Sequence, residues 1–316
     1  MASARGTGVK FKFPPLYGFF AIASLLLLSG VLLLSGVCGA QESTSRIQEA
    51  LELLHRTHQG QLLLTRAIKA WNVNYFKDLD QFLKLGISSR TDTILTRQYN
   101  PKTGKEERER QITIFLKKEQ PQLELVLDLA HELIHATARP AFDPYDPSLT
   151  IGKYVYAAIE GEGGEVNAVV GECKVSFELA EILKTSTATS ASRCLPYLSK
   201  NQSGRPRQIN REEVRKDFYR VGQWHAKLLK NLGSEIQLFP MLSNEPPGLY
   251  SSTGHTPYPM ALAQEYEEIT EIACLNSKNR ISLSSGSPFS FFTKAIAKSD
   301  DSLQENVRQF IAKRCQ

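Results

Sequence analysis

His131-Glu132-Leu133-Ile134-His135 constrains the fold of this chain more than any other stretch. Two imidazoles four residues apart stack on one face of an α-helix, so the pattern asks for a helix and for one metal ion within reach of both rings. The flanking sequence supplies that helix. Leu123, Leu127, Leu129, Leu133 and Ile134 recur at helical spacing over residues 121–138, with Pro121 opening the run and Pro140, Pro144 and Pro147 ending it. Glu132 stands beside the first imidazole, where a carboxylate could deprotonate a metal-bound water. A structural zinc site closes all four positions, whereas a catalytic one keeps three protein ligands and a water, so one further ligand is required.

That ligand should come from a later helix, and the segment between Ile159 and Ala168 offers Glu160, Glu162 and Glu165. No histidine stands between His135 and His225, which disfavours a third imidazole close in sequence. The H-E-x-x-H-x-x-G-x-x-H pattern fails because Ala138 occupies the glycine position. His131 to His135 followed by Glu165-Val166-Asn167-Ala168 resembles the gluzincin branch of zinc metallopeptidases, in which H-E-x-x-H is followed by E-x-x-A. The resemblance covers residues 112–179, about a fifth of the chain. It implies a zincin-like fold, Zn2+ as cofactor, a peptide or protein substrate, His131, His135 and Glu165 as zinc ligands, and Glu132 as general base. Glu162 is the alternative third ligand, lying three residues away on a similar face; Ala168, one turn beyond Glu165, favours Glu165. Gly163 and Gly164 depart from a smooth helix and weaken one by about 1 kcal/mol each relative to alanine.

A peptidase of this kind also needs a donor for the developing oxyanion. His225, Tyr250, His255 and Tyr258 are the candidates, the last three between Pro240 and Pro259, and no spacing rule selects among them. Asp128 and Glu172 sit where either could orient a ligand imidazole, and the strand at residues 112–116 could align a substrate as a sheet edge. His55 and His58 read as surface residues, the mixed charges at 105–110 as a solvated arm, and Asn201-Gln202-Ser203 as a glycosylation acceptor in a eukaryotic secretory route.

The amino terminus reads as an export signal. Arg5, Lys10 and Lys12 precede a stretch without charge from Phe13 to Gln41, and Cys38-Gly39-Ala40 supplies small residues at a cleavage spacing. Residues 1–40 are therefore a signal peptide, or a membrane anchor attached through residues 16–37; a lipid-modified Cys38 is a weaker reading. The product is exported: periplasmic, secreted, or held on the outer side of a membrane. Cys173, Cys194, Cys274 and Cys315 follow the leader, an even number that permits two disulfides in three connectivities. No C-x-x-C occurs. The net charge of +5 owes its excess partly to the three leader cations, so a phosphate-seeking surface is not indicated and nucleic acid is excluded as a partner.

The remaining periodicity predicts one long helix or two shorter ones over 45–71, broken near Gly60, then a short helical stretch at 75–85 capped by Gly86. A hairpin of 92–100 and 111–118 follows, turning at 101–105. Further helices are expected at 152–183, 211–232, 260–275 and 302–313, with loops at 185–192 and 240–259. The fold class is α+β, mainly α: a zincin-like domain over 41–316, with a small antiparallel sheet or hairpin and helical extensions at each end. The function expected is an exported zinc-dependent peptidase; the alternative is a non-catalytic zincin-like protein of the envelope that binds or scaffolds.

Overall fold

In the computed structural model, residues 34–100, 105–138, 142–184, 192–199, 208–251, 254–286 and 301–315 are described. The described residues are mainly helical and form one small sheet. Helix α1 (Leu34–His55) and α2 (His58–Trp71) are separate. The break falls at Thr57 rather than Gly60, because the Thr57 hydroxyl caps α2 by accepting from Gly60 N at 2.9 Å. Gly60 is needed for that corner: a Cβ there would lie 2.0 Å from the Leu54 carbonyl oxygen.

The stretch predicted as helix over 75–85 divides into a 3-10 turn (Phe76–Phe82) and strand β1 (Leu83–Gly86). Gly86 thus ends a strand and caps no helix. Strands β2 (Arg90–Asn100) and β3 (Lys105–Lys117) form the expected hairpin, in register from Arg90 opposite Phe115 to Asn100 opposite Lys105. The sheet is mixed, because β1 pairs parallel to β3 from Leu83 opposite Ile114 to Gly86 opposite Lys117. In the order β1-β3-β2, β3 is the central strand. The 112–116 segment therefore has a partner on each side and is no edge; β1 and β2 hold the outer positions.

Helix α3 (Gln122–Ala138) packs on this sheet and on α1 and α2. A first core gathers Leu51, Leu54, Leu63, Leu79, Ile114, Leu116, Leu129 and Leu133. The helix predicted over 152–183 is two: α4 (Ile151–Glu160) and α5 (Glu165–Leu183). Gly161 closes α4 and Gly164, in an extended conformation, opens α5. The predicted 211–232 helix also breaks, into α6 (Arg211–Tyr219) and α7 (His225–Leu232), around a Gly222 whose φ is +53°. Helix α8 (Tyr258–Gly286) and α9 (Asp301–Arg314) complete the described chain. A second core contains Tyr154, Ile159, Val166, Val214, Phe218, Leu228 and Met260.

Disulfides join Cys173 to Cys194 and Cys274 to Cys315, each with a Cα separation of 5.5 Å. Of the three connectivities, the chain takes the sequence-local one. Such bridges fit an oxidising compartment. No helix among the described residues is long and apolar enough to cross a membrane. Residues 1–33 of the 1–40 leader, residues 185–191 of the 185–192 loop and Asn201 to Ser203 lie outside the described residues.

Candidate metal centre

Helix α3 is buried on nearly every side, because it is covered by the sheet, α1, α2 and α5. His131, Glu132 and His135 are consequently buried, at 6%, 4% and 7% exposure. Burying such groups is costly unless each finds a partner. The partners come chiefly from α5, where the sequence begins a new helix with a carboxylate, Glu165, itself 7% exposed.

The two imidazoles converge on this carboxylate. His131 Nε2 lies 3.4 Å from Glu165 Oε2, and His135 Nε2 lies 3.5 Å from Glu165 Oε1. Ligand atoms about 2.0–2.1 Å from a tetrahedral metal are separated by about 3.4 Å, so these spacings suit one ion between the three groups. The ligand atoms of His131, His135 and Glu165 all fall within 4.8 Å of one another. Glu165 Oε2 is moreover buried and accepts no hydrogen bond. Buried His131, His135 and Glu165 could hold a metal ion.

The other ring nitrogens are engaged. His131 Nδ1 lies 2.9 Å from Glu172 Oε2, and His135 Nδ1 lies 2.8 Å from the Gly163 carbonyl. Partners of this kind orient each ring and leave Nε2 as the ligand atom. Glu172 thus takes the orienting place foreseen for it. Asp128 does not. It binds Arg193, Ser89 and Gln120 instead.

The electrostatics follow from this packing. Burial pushes Glu165 up, but His135 and His131 outweigh it and hold its carboxyl well below the usual range. Burial likewise opposes the charged form of His131, yet Glu165 and Glu172 hold its pKa well above the ordinary value. For Glu132 burial prevails and its pKa is raised, with both imidazoles and Thr91 working the other way. The Thr91 hydroxyl, on β2, donates to Glu132 Oε2 at 2.7 Å.

Of the other carboxylates in the 159–168 segment, Glu162 is exposed on the turn between α4 and α5, and Glu160 pairs with Arg215 at 2.7 Å. Among the proposed oxyanion donors, Tyr258 is buried in the second core with its ring 4.9 Å from that of Phe218. Tyr250 is 41% exposed and bridges to Pro257, His255 is exposed, and His225 opens α7 half-buried.

Three participants escaped the sequence: Thr91, the Gly163 carbonyl and Arg193. Thr91 reaches the site through sheet packing, and Gly163 contributes only backbone, so neither carries a motif. Arg193 did have a signal, since pairing Cys173 with Cys194 sets the neighbours Glu172 and Arg193 side by side. Comparison of the chain with protein-family models, with curated proteins and with solved structures finds no match in any of the three.

Proposed function

We propose that the chain is an exported zinc-dependent peptidase of gluzincin type. The observation that carries this reading is the convergence of His131 and His135 Nε2 on the two oxygens of Glu165, at 3.4 and 3.5 Å, with Glu132 next in the chain to the first imidazole. Two imidazole nitrogens and one carboxylate oxygen are the donor set of a catalytic zinc site, which leaves a fourth position for water.

Zinc held by His131, His135 and Glu165 would supply Lewis acidity and lower the pKa of a bound water. Glu132 would act as the base that takes a proton from the attacking water as its oxygen adds to the peptide carbonyl carbon. The same carboxyl then delivers the proton to the amide nitrogen as the C–N bond breaks. Thr91 anchors one Glu132 oxygen, so the carboxylate pivots about a fixed atom. Thr91 lies on the face of β2 that meets α3, and because β2 is an outer strand of the sheet an extended substrate would add to its outer edge as a further strand.

The test is metal analysis of the purified protein, followed by cleavage of a mixed peptide library by wild type and Glu132→Gln. The expected result is about one zinc per chain, with cleavage that the substitution removes. Zinc without any cleavage would select the binding or scaffolding alternative. A chain that retains no metal would overturn both.

A further inference from the structure

Glu172 has two carboxylate oxygens, and each is held from a different direction. Oε2 lies 2.9 Å from His131 Nδ1, while Oε1 lies 2.5 Å from Arg193 Nε. Arg193 is itself fixed, because both its terminal nitrogens donate to Asp128 Oδ1 at 3.2 Å. Asp128 accepts from Gln120 Nε2 at 3.1 Å and from the Ser89 hydroxyl, and Ser89 Oγ in turn accepts from the Lys117 backbone N–H at 2.9 Å. The chain of contacts therefore starts at an imidazole and ends on the backbone of the central strand.

Arg193 comes from a 3-10 turn (Ser192–Tyr197) rather than from any element that carries a ligand. What brings it there is covalent. Cys173 follows Glu172, Cys194 follows Arg193, and the two cysteines are bonded. The bridge thus staples together the residues that flank the ion pair. Arg193 keeps only 19% side-chain exposure and Glu172 3%, so the pair is shielded from water. A guanidinium presents its donors in a rigid planar fork, which suits it to hold two carboxylates at once.

We propose that Arg193 is a positioning residue for the metal centre: delivered by the Cys173–Cys194 bridge, it locks the Glu172 carboxylate so that Glu172 aims His131 Nε2 at the metal. The inference rests on the metal-binding reading above, and adds to it a residue outside the ligand helices. Without Arg193, the Glu172 carboxylate is free to rotate about its own side chain, and the imidazole it orients rotates with it.

The experiment measures zinc affinity alone, by competition with a chromogenic chelator, on the full disulfide-bonded protein. Arg193→Met should weaken zinc binding about 10–100-fold, the range found when partners of metal ligands are removed. Arg193→Lys retains charge but not the fork and should fall between Met and wild type. The decisive arm is Glu172→Gln: if Arg193 acts through Glu172, adding Arg193→Met to it should cost no further affinity. Independent losses in the double variant would overturn the proposal. So would Arg193 variants that melt at lower temperature while binding zinc within about twofold of wild type, which is the signature of a merely structural ion pair. A wild type that binds no zinc would instead overturn the metal reading, and this inference with it.

Discussion

Glu162 and Glu165 are three residues apart and chemically identical, yet the fold treats them oppositely. Glu162 sits exposed on a turn, while Glu165 is buried between two imidazoles. Glu165→Ala should therefore abolish zinc retention, and Glu162→Ala should leave it unchanged; metal content after dialysis distinguishes them, and the reverse outcome would place the third ligand on the turn. Glu132 is separable from the ligands in the same way. Glu132→Gln preserves shape and should keep zinc while cutting kcat by about 10²–10⁴-fold, the usual share of a general base. Thr91→Val leaves a buried carboxylate oxygen without its donor, a loss worth roughly 1–3 kcal/mol, so peptide cleavage should fall on the order of tenfold or more at unchanged zinc content. At this scale the sequence was informative where chemistry depends on helical spacing: His131, Glu132 and His135 could be read from their own segment. Thr91 could not, because it reaches the site across sheet packing that no local spacing encodes, and Arg193 could be placed only by choosing the Cys173–Cys194 pairing from three open connectivities.

The elements show the same division between local and distant causes. Helix α3 was legible from its apolar repeat and its prolines, and the hairpin from its turn. Residues 83–86 were not, since Leu-Lys-Leu-Gly becomes a strand only by lying parallel to β3, with Leu83 opposite Ile114 and Gly86 opposite Lys117, partners far apart in the chain. The 152–183 helix was overextended because its apolar repeat runs through Gly161, Gly163 and Gly164. In the fold these glycines turn the chain so that Gly163 faces His135 and Glu165 enters at the first position of α5. Gly164 has no room for a side chain: a Cβ would stand 2.6 Å from the Ile159 carbonyl oxygen and 3.0 Å from Gly161 N, both backbone. Gly164→Ala must displace the start of α5. The expected cost is about 1–3 kcal/mol of stability, typical of forcing volume into a packed site, accompanied by weaker zinc binding because Glu165 and the Gly163 carbonyl move together. Chemical denaturation of the metal-free protein and a chelator titration check the two halves of that prediction.

For the whole molecule, the position of the site matters more than its composition. Helix α3 belongs to the first core, with Leu125, Leu129 and Leu133 among its members. Helix α5 belongs to both, sending Ala168, Val175 and Leu179 into the first core and Val166, Val169 and Cys173 into the second. An ion held by His131, His135 and Glu165 would therefore tie α3 to the helix that the two cores share. Binding to the folded state but not the unfolded one stabilises by mass action, about 4 kcal/mol when free ligand exceeds its dissociation constant a thousandfold. The shift is about 2–4 °C per kcal/mol for 150–250 residues and falls at or below the lower end for a domain as long as residues 41–316, so zinc should raise the melting temperature by roughly 5–8 °C over protein stripped with a chelator. Because α5 takes part in both cores, the rise should appear as a shift of one cooperative transition, and not as the stabilisation of one half while the other melts as before. Calorimetry with and without zinc, repeated on Glu165→Ala, separates these outcomes. The substitution should erase the zinc-dependent increment, whereas a rise that survives the loss of Glu165 would mean that the stabilising ion binds elsewhere.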